Sequence, residues 1–258
     1  MEVGEPMECY NDFAYIYDEL IAEDVNYKTW CNTIIDICNN LNIEKRDYLD
    51  LACGTGNFSS YIGKNFAFTT AVDLSPSMLS VADEKLKEEG IRSKVVCQNI
   101  CNLSLNKKFD LITCGLDSTN YIIEEENLKS YFRSVSQHLR ENGVFVFDIN
   151  TEYKIKEILG DNSFNYNEDD VVYIWDNVLQ GDVVTMELTF FVKKGQVYER
   201  FDETHVERAY SESYLESCIN EAGMKVERKL NCYEDKIIDD KTERIAFVIR
   251  KDEKKDDR

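Results

Sequence analysis

The chain reads as an α/β protein built on a doubly wound, mostly parallel sheet, and three features predict this. Short apolar runs alternate with segments of helical period between about residues 47 and 149, the rhythm of successive strand–helix units. A glycine turn, Gly54-Thr55-Gly56, breaks the first apolar run, and Asp73 closes the second, 19 residues beyond Gly54. A β-rich stretch at 171–208 interrupts the alternation, which resumes after it.

Composition narrows the class. At 258 residues the chain holds one or two domains, given about 150 residues per domain. A 43% hydrophobic content with 12% aromatics supports a buried core without staples. Fifty acidic against thirty basic side chains give a net charge of -20. Such a surface repels phosphate backbones and anionic headgroups, so neither nucleic acid nor membrane is an expected partner. Nine cysteines without a Cys-x-x-Cys, and only two histidines, argue against a disulfide framework and against a metal site. The opening MEVGEPMECY has neither a basic start nor an apolar core, so the expected compartment is the cytoplasm.

The elements follow in order. Phe13, Ile16, Tyr17, Leu20 and Ile21, then Trp30, Ile34, Ile35, Cys38 and Leu41, have helical spacing and predict two helices over 10–41. Tyr48 to Cys53 predicts a strand, and a helix follows the glycine turn to about Gly63. Ala67 to Leu74 predicts the next strand. Ser75-Pro76 supplies a cap and a proline where its missing N–H does no harm, so a helix starts there and stops near Gly90. Strands are expected at 94–98 and 109–114, a helix at 125–140, a turn at Glu141-Asn142-Gly143 and a strand at 144–149. His138, late in that helix, reads as a surface residue. Three β runs at 171–208, divided by Gln180-Gly181-Asp182 and Lys194-Gly195-Gln196, predict antiparallel hairpins. A helix at 211–222 and strands near 224–233 and 243–250 restore the α/β pattern. The expected organisation is a core of 1–163 and 209–250, a β insertion of 164–208 acting as lid or substrate platform, and a charged tail of 251–258.

The glycine turn carries the chemistry. Glycines let a ligand approach bare backbone, and an acid ending the second strand of a doubly wound sheet accepts from ribose hydroxyls. Together they describe an adenosine pocket. Ser59 occupies the third small position of a dinucleotide fingerprint and weakens that reading without excluding it. Asp50 is poor company for pyrophosphate and good company for a cation, as in S-adenosylmethionine (SAM), which has a sulfonium and an ammonium and no phosphate.

Asp50-Leu51-Ala52-Cys53-Gly54-Thr55-Gly56-Asn57 resembles the first motif of class I SAM-dependent methyltransferases, and Ala71-Val72-Asp73-Leu74-Ser75 resembles their second. Phe109-Asp110-Leu111-Ile112 and Leu139 to Val144 are similar to the fourth-strand and fifth-strand signatures. The likeness runs over residues 10–250, and the leading helices with the β insertion resemble the glycine, sarcosine and amino-sugar N-methyltransferases. It implies a Rossmann-like seven-stranded sheet of order 3-2-1-4-5-7-6 with an antiparallel last strand. It implies SAM as cofactor, with Asp50 and Gly54 near the methionine part, Asp73 at the ribose, Leu74 and Asn99 at the adenine, and Ala52, Gly56 and Ile100 among the other cofactor-binding residues. Asn99 stands where the family often has an aspartate; its carbonyl oxygen still accepts, without charge assistance.

For the acceptor, the loop Gly115 to Tyr121 lies where ligands gather in open α/β sheets, which nominates Ser118, Asn120 and Tyr121. Tyr17 and Tyr27 resemble the tyrosines of the leading helices that close over cofactor and acceptor, with core packing as the competing role. His205 lies in Glu203 to Tyr210, similar to a histidine-plus-arginine strand of the family, and titrates near neutrality; a structural hydrogen bond is its competing role. Tyr17 and His205 are the catalytic candidates. The expected activity is methyl transfer from SAM to a small-molecule acceptor, more naturally nitrogen than oxygen. A SAM-binding module without turnover, an O-methyltransferase and a nucleotide-dependent oxidoreductase stand as alternatives. The sequence does not determine the oligomeric state.

Overall fold

A computed structural model describes Asp18 and residues 25–252. Helix α1 (Tyr27–Asn40) opens on Asn26, whose side chain accepts from Thr29 N. Then come β1 (Asp47–Leu51), α2 (Asn57–Gly63), β2 (Phe68–Asp73), α3 (Pro76–Glu88), β3 (Ser93–Cys97), β4 (Phe109–Cys114), α4 (Glu125–His138) and β5 (Leu139–Asn150). The second sheet comprises β6 (Ser163–Asn167), β7 (Val171–Gln180), β8 (Val183–Lys194) and β9 (Val197–Arg208). Helix α5 (Glu212–Glu221), β10 (Met224–Asn231) and β11 (Arg244–Lys251) complete the chain. Among the described residues no helix is long and apolar enough to cross a membrane.

The main sheet has the order β10-β11-β5-β4-β1-β2-β3. Its β1–β5 strands pair in parallel, and β11 lies antiparallel between β5 and β10. This is the 3-2-1-4-5-7-6 arrangement implied by the resemblance. The central strands are buried on both faces because alternate side chains serve different layers. Leu49, Ile112, Phe145, Phe147 and Phe247 pack toward α4 and α5, with Phe145, Phe147 and Phe247 stacked in a row. Tyr48, Leu111, Val144, Val146 and Val248 pack toward α1 and α2 on the other face.

Three local expectations change. Glu141-Asn142-Gly143 lies inside β5 rather than in a separate turn: Leu139 already pairs with Phe109, and the register then jumps so that Val144 meets Leu111. The excess residues bulge out of the ladder, as extra residues in one strand must. A π-helical turn, Lys154–Leu159, and strand β6 precede the three anticipated β runs, so the second sheet has four strands. His138 is buried, its Nδ1 2.7 Å from Ser134 O while Nε2 accepts from Leu105 N. It ties the end of α4 to the loop before β4. The expected helix over residues 10–24 lies outside the described residues except for Asp18, which is helical.

Candidate active site

The carboxyl ends of the main sheet and the inner face of the second sheet enclose one cleft of about 1720 Å3. That exceeds the roughly 300–1000 Å3 of a pocket for one small molecule, leaving room for a cofactor and an acceptor together.

The glycine turn forms one wall. Ala52, Gly54 and Gly56 all have positive φ, which folds the chain sharply between β1 and α2. A Cβ at Gly54 would meet no protein atom within 4 Å and would project into open space, so a ligand can reach the backbone there. Gly56 has another role. Its Cβ would come within 3.0 Å of Ala82 Cβ, so its bareness lets the turn pack on α3, and it does not line the cleft.

Asp73 locks this turn to the next strand. Its Oδ2 accepts from Gly54 N at 2.8 Å and its Oδ1 from Ser75 N at 2.9 Å. A carboxylate has about four acceptor sites, so two remain for donors from a ligand. Leu74 beside it is 63% exposed at the cleft, an apolar surface suited to a flat ring. Asn99 and Ile100 also line the cleft. The Asn99 side-chain oxygen accepts from Cys101 N at 2.8 Å, which caps the short helical turn Ile100–Asn102 and leaves one lone pair and the amide N–H groups free for a ligand.

Asp50 sits behind the turn, 1% exposed. It accepts from Ser59 Oγ at 2.6 Å and Thr113 Oγ1 at 2.8 Å. Burial outweighs these donors and pushes its carboxyl up to about 6. A cation arriving at the cleft would favour its ionised form. On the rim, Asp18 accepts from Asn57 Nδ2 at 2.9 Å and from Lys85 Nζ at 2.6 Å, tying it to the turn.

Strained backbone shapes another side of the cleft. Leu116 and Asp117 both have positive φ, uncommon for residues other than glycine. Asp148, fully buried, holds them: its oxygens accept from Leu116 N at 2.9 Å, Asp117 N at 2.8 Å and Tyr233 Oη at 2.6 Å. Arg244 bridges Asp148 and Asp117, the latter at 2.6 Å. Trp30 stacks on Tyr233 with ring centroids 4.7 Å apart.

The second sheet supplies the remaining wall. Pairing of β8 with β9 sets Met186 opposite His205 and Val184 opposite Glu207. The period of two places Glu203, His205 and Glu207 on one face of β9; His205 and Glu207 line the cleft, with Trp175, Leu188 and Phe190 from β7 and β8. His205 Nδ1 is 3.2 Å from Tyr121 Oη, and burial holds its imidazole below the usual 6.5 against the pull of Asp117.

Of the residues nominated from sequence, Asp50, Ala52, Gly54, Asp73, Leu74, Asn99, Ile100, Tyr27, Ser118, Tyr121 and His205 meet at this cleft. Tyr27 Oη is buried without a hydrogen-bond partner among the described residues. Ser118 Oγ donates to Gly115 O at 2.7 Å, so its hydroxyl braces the loop. Asn120 is a correction: it is fully buried and away from the cleft lining. Its Nδ2 donates to Asn150 O and Arg208 O, and its Oδ1 accepts from Asn150 N at 3.0 Å. It pins the end of β9 to the end of β5. Tyr17 lies outside the described residues. Asp117, Asn150, Glu207 and Arg244 were not singled out; the two-residue period counted from His205 would have found Glu207.

Comparisons with known proteins identify the family. A family model described as a methyltransferase domain matches residues 49–143. The chain is 31% identical over 246 residues to a protein of Geobacillus sp. (strain WCH70) named as a methyltransferase, covering 94% of this chain and 99% of the relative. It is 25% identical over 223 residues to a dTDP-3-amino-3,4,6-trideoxy-alpha-D-glucopyranose N,N-dimethyltransferase of Streptomyces venezuelae, covering 84% and 91%. The crystal structure of an S-adenosylmethionine-dependent methyltransferase from Clostridium acetobutylicum ATCC 824 superposes with a TM-score of 0.91 at 49% identity, covering 95% of this chain and 100% of that one.

Proposed function

The chain belongs to the class I SAM-dependent methyltransferases, and from that premise we propose that it methylates an amine nitrogen of a small-molecule acceptor. SAM is its cofactor and, when bound, supplies a methyl group already activated by the sulfonium. The bare edge at Gly54, the free acceptor sites of Asp73 and the apolar face of Leu74 fit its nucleoside: a cradle a Cβ would fill, an acid beside it, and a surface for a ring. In this reading Asp73 takes the ribose hydroxyls, Leu74, Asn99 and Ile100 meet the adenine, and Asp50 and Ala52 serve the cationic methionine end.

The observation that carries the amine reading is the wall opposed to these groups in character. Asp117 and Glu207 bring carboxyl groups into the cleft, and Trp175, Leu188 and Phe190 bring apolar surface. Acids on an apolar platform suit a small cationic amine. The acceptor of the Streptomyces venezuelae relative, an amino sugar by its name, has the same chemistry. The protein's work is to hold the nitrogen in line with the methyl and to keep water away. Orientation of that kind supplies about 7–11 kcal/mol. The net charge of -20 supports a small acceptor over a nucleic acid.

The test is incubation of the protein with methyl-labelled SAM and matched panels of amines and alcohols, read by mass spectrometry for products one methyl group heavier. Label in amines supports the reading. Label confined to hydroxyl products, or none in either panel from protein that binds SAM, refutes it.

A further inference from the structure

Asn150 ends β5 inside the cleft, 5% exposed. Its side-chain Nδ2 donates to Glu207 Oε2 at 2.9 Å, while its Oδ1 has no hydrogen-bond partner among the described residues. A buried acceptor left alone in this way costs free energy unless a ligand donates to it. Asn120 fixes the backbone on both sides, holding Asn150 N, Asn150 O and Arg208 O, so the orphaned oxygen and Glu207 are set in place together.

The surroundings are rich in acceptors, and of the cations that line the cleft Lys154 is paired with Glu243 and Arg244 with Asp117 and Asp148, with Lys241 lining it as well. Glu207 is 3% exposed; burial, with the neighbouring Asp117 charge, pushes its carboxyl well above the usual range. The cation joined to this cluster is Arg244 of β11, already shared between Asp117 and Asp148. From the same face of β9 comes His205, whose charged form burial disfavours. Tyr121 approaches from the loop.

We infer that Asn150 Oδ1, Glu207 and Asp117 form a subsite for the ammonium group of the acceptor, which makes the enzyme selective for amines that arrive as cations; one N–H proton passes to a carboxylate of the subsite before the nitrogen has the lone pair that takes the methyl. This deepens the amine reading above and rests on it. An ammonium is made only of donors, so it can satisfy the orphaned Asn150 oxygen and both carboxyl groups without presenting a lone pair to any of them. A hydroxyl of the same shape offers one donor and turns its lone pairs toward acceptors. Charge-assisted bonds in a buried site are the strong kind, so the discrimination should be large. Asn150 and Glu207 act here as specificity residues.

The experiment uses the full chain loaded with S-adenosylhomocysteine and two probes of like shape, cyclohexylammonium and cyclohexanol, titrated at neutral pH by ligand-observed NMR. The ammonium should bind about tenfold or more tightly than the alcohol. Glu207→Gln keeps the shape and should abolish that preference while S-adenosylhomocysteine affinity stays as in the parent. Equal binding of the two probes by the parent overturns the subsite, and so does a preference that survives in a Glu207→Gln protein still able to bind S-adenosylhomocysteine. The parent comparison decides even where the variant does not fold. An ammonium preference in a protein that methylates no amine refutes the proposed activity and leaves the subsite standing. Methylation of amines without the preference does the reverse.

Discussion

Asp50→Asn should strengthen the fold and weaken the cofactor site at once. The carboxyl of Asp50 is fully enclosed, and burial raises it from its ordinary 3.8 to about 6. At about 1.4 kcal/mol per pH unit, keeping it ionised at neutral pH costs about 3 kcal/mol of stability. The sign follows from linkage. The folded chain holds this proton more tightly than the unfolded chain, so the stabilisation is complete below 3.8 and is lost as pH rises through about 6. Asparagine removes the charge and can still pair with the Ser59 and Thr113 hydroxyls, at some loss of hydrogen-bond quality. The variant should therefore exceed the parent by about 2 kcal/mol at about pH 8, and near pH 4 that advantage should be gone, leaving the variant slightly the less stable. Urea unfolding of both proteins across that range measures it. Calorimetry of SAM binding gives the other half: the parent should bind more weakly as pH falls below about 6, and the variant should bind about tenfold more weakly than the parent at neutral pH. A parent–variant stability gap that does not change with pH would refute the reasoning, as would full SAM affinity in the variant.

Other expectations test the frame around the cleft. Asn120→Ala strands three buried backbone partners and should lower stability by about 3 kcal/mol in urea unfolding, whereas a loss under about 1 kcal/mol would contradict its pinning role. Gly54→Ala and Gly56→Ala should separate. The first should fold with a loss of about 1 kcal/mol and bind SAM poorly, because its methyl enters the cleft. The second should lose about 1–3 kcal/mol from its φ of +82° and the Ala82 contact, part of it recovered by Ala82→Gly. NMR titration of His205 should give a midpoint below 6.5, since burial disfavours its charged form; a midpoint above that value would show Asp117 dominating instead.

Much of the frame was legible because each signal was local. Ser75-Pro76 marked the start of α3, the Gln180-Gly181-Asp182 and Lys194-Gly195-Gln196 turns divided β7, β8 and β9, and Gly54 with Asp73 located one wall of the cleft. What escaped depended on partners far along the chain. Asn120 read as a loop residue facing substrate, yet its bonds reach Asn150 and Arg208, and no local pattern shows that. Arg244 gains its meaning from Asp117 and Asp148, which are 127 and 96 residues away. His138 looked like the solvent-facing end of a helix because the loop that covers it, near Leu105, packs there only in three dimensions. Gly56 was recognised as a glycine of the turn, but its close neighbour, Ala82, belongs to another helix.

A crystal structure with S-adenosylhomocysteine tests most directly whether the turn after β1 and the acid ending β2 hold the cofactor. The expected result is the ribose hydroxyls on Asp73, with its bonds to Gly54 N and Ser75 N kept, and the adenine against Leu74. A nucleoside bound outside this cleft, or one whose sugar makes no contact with Asp73, would contradict it.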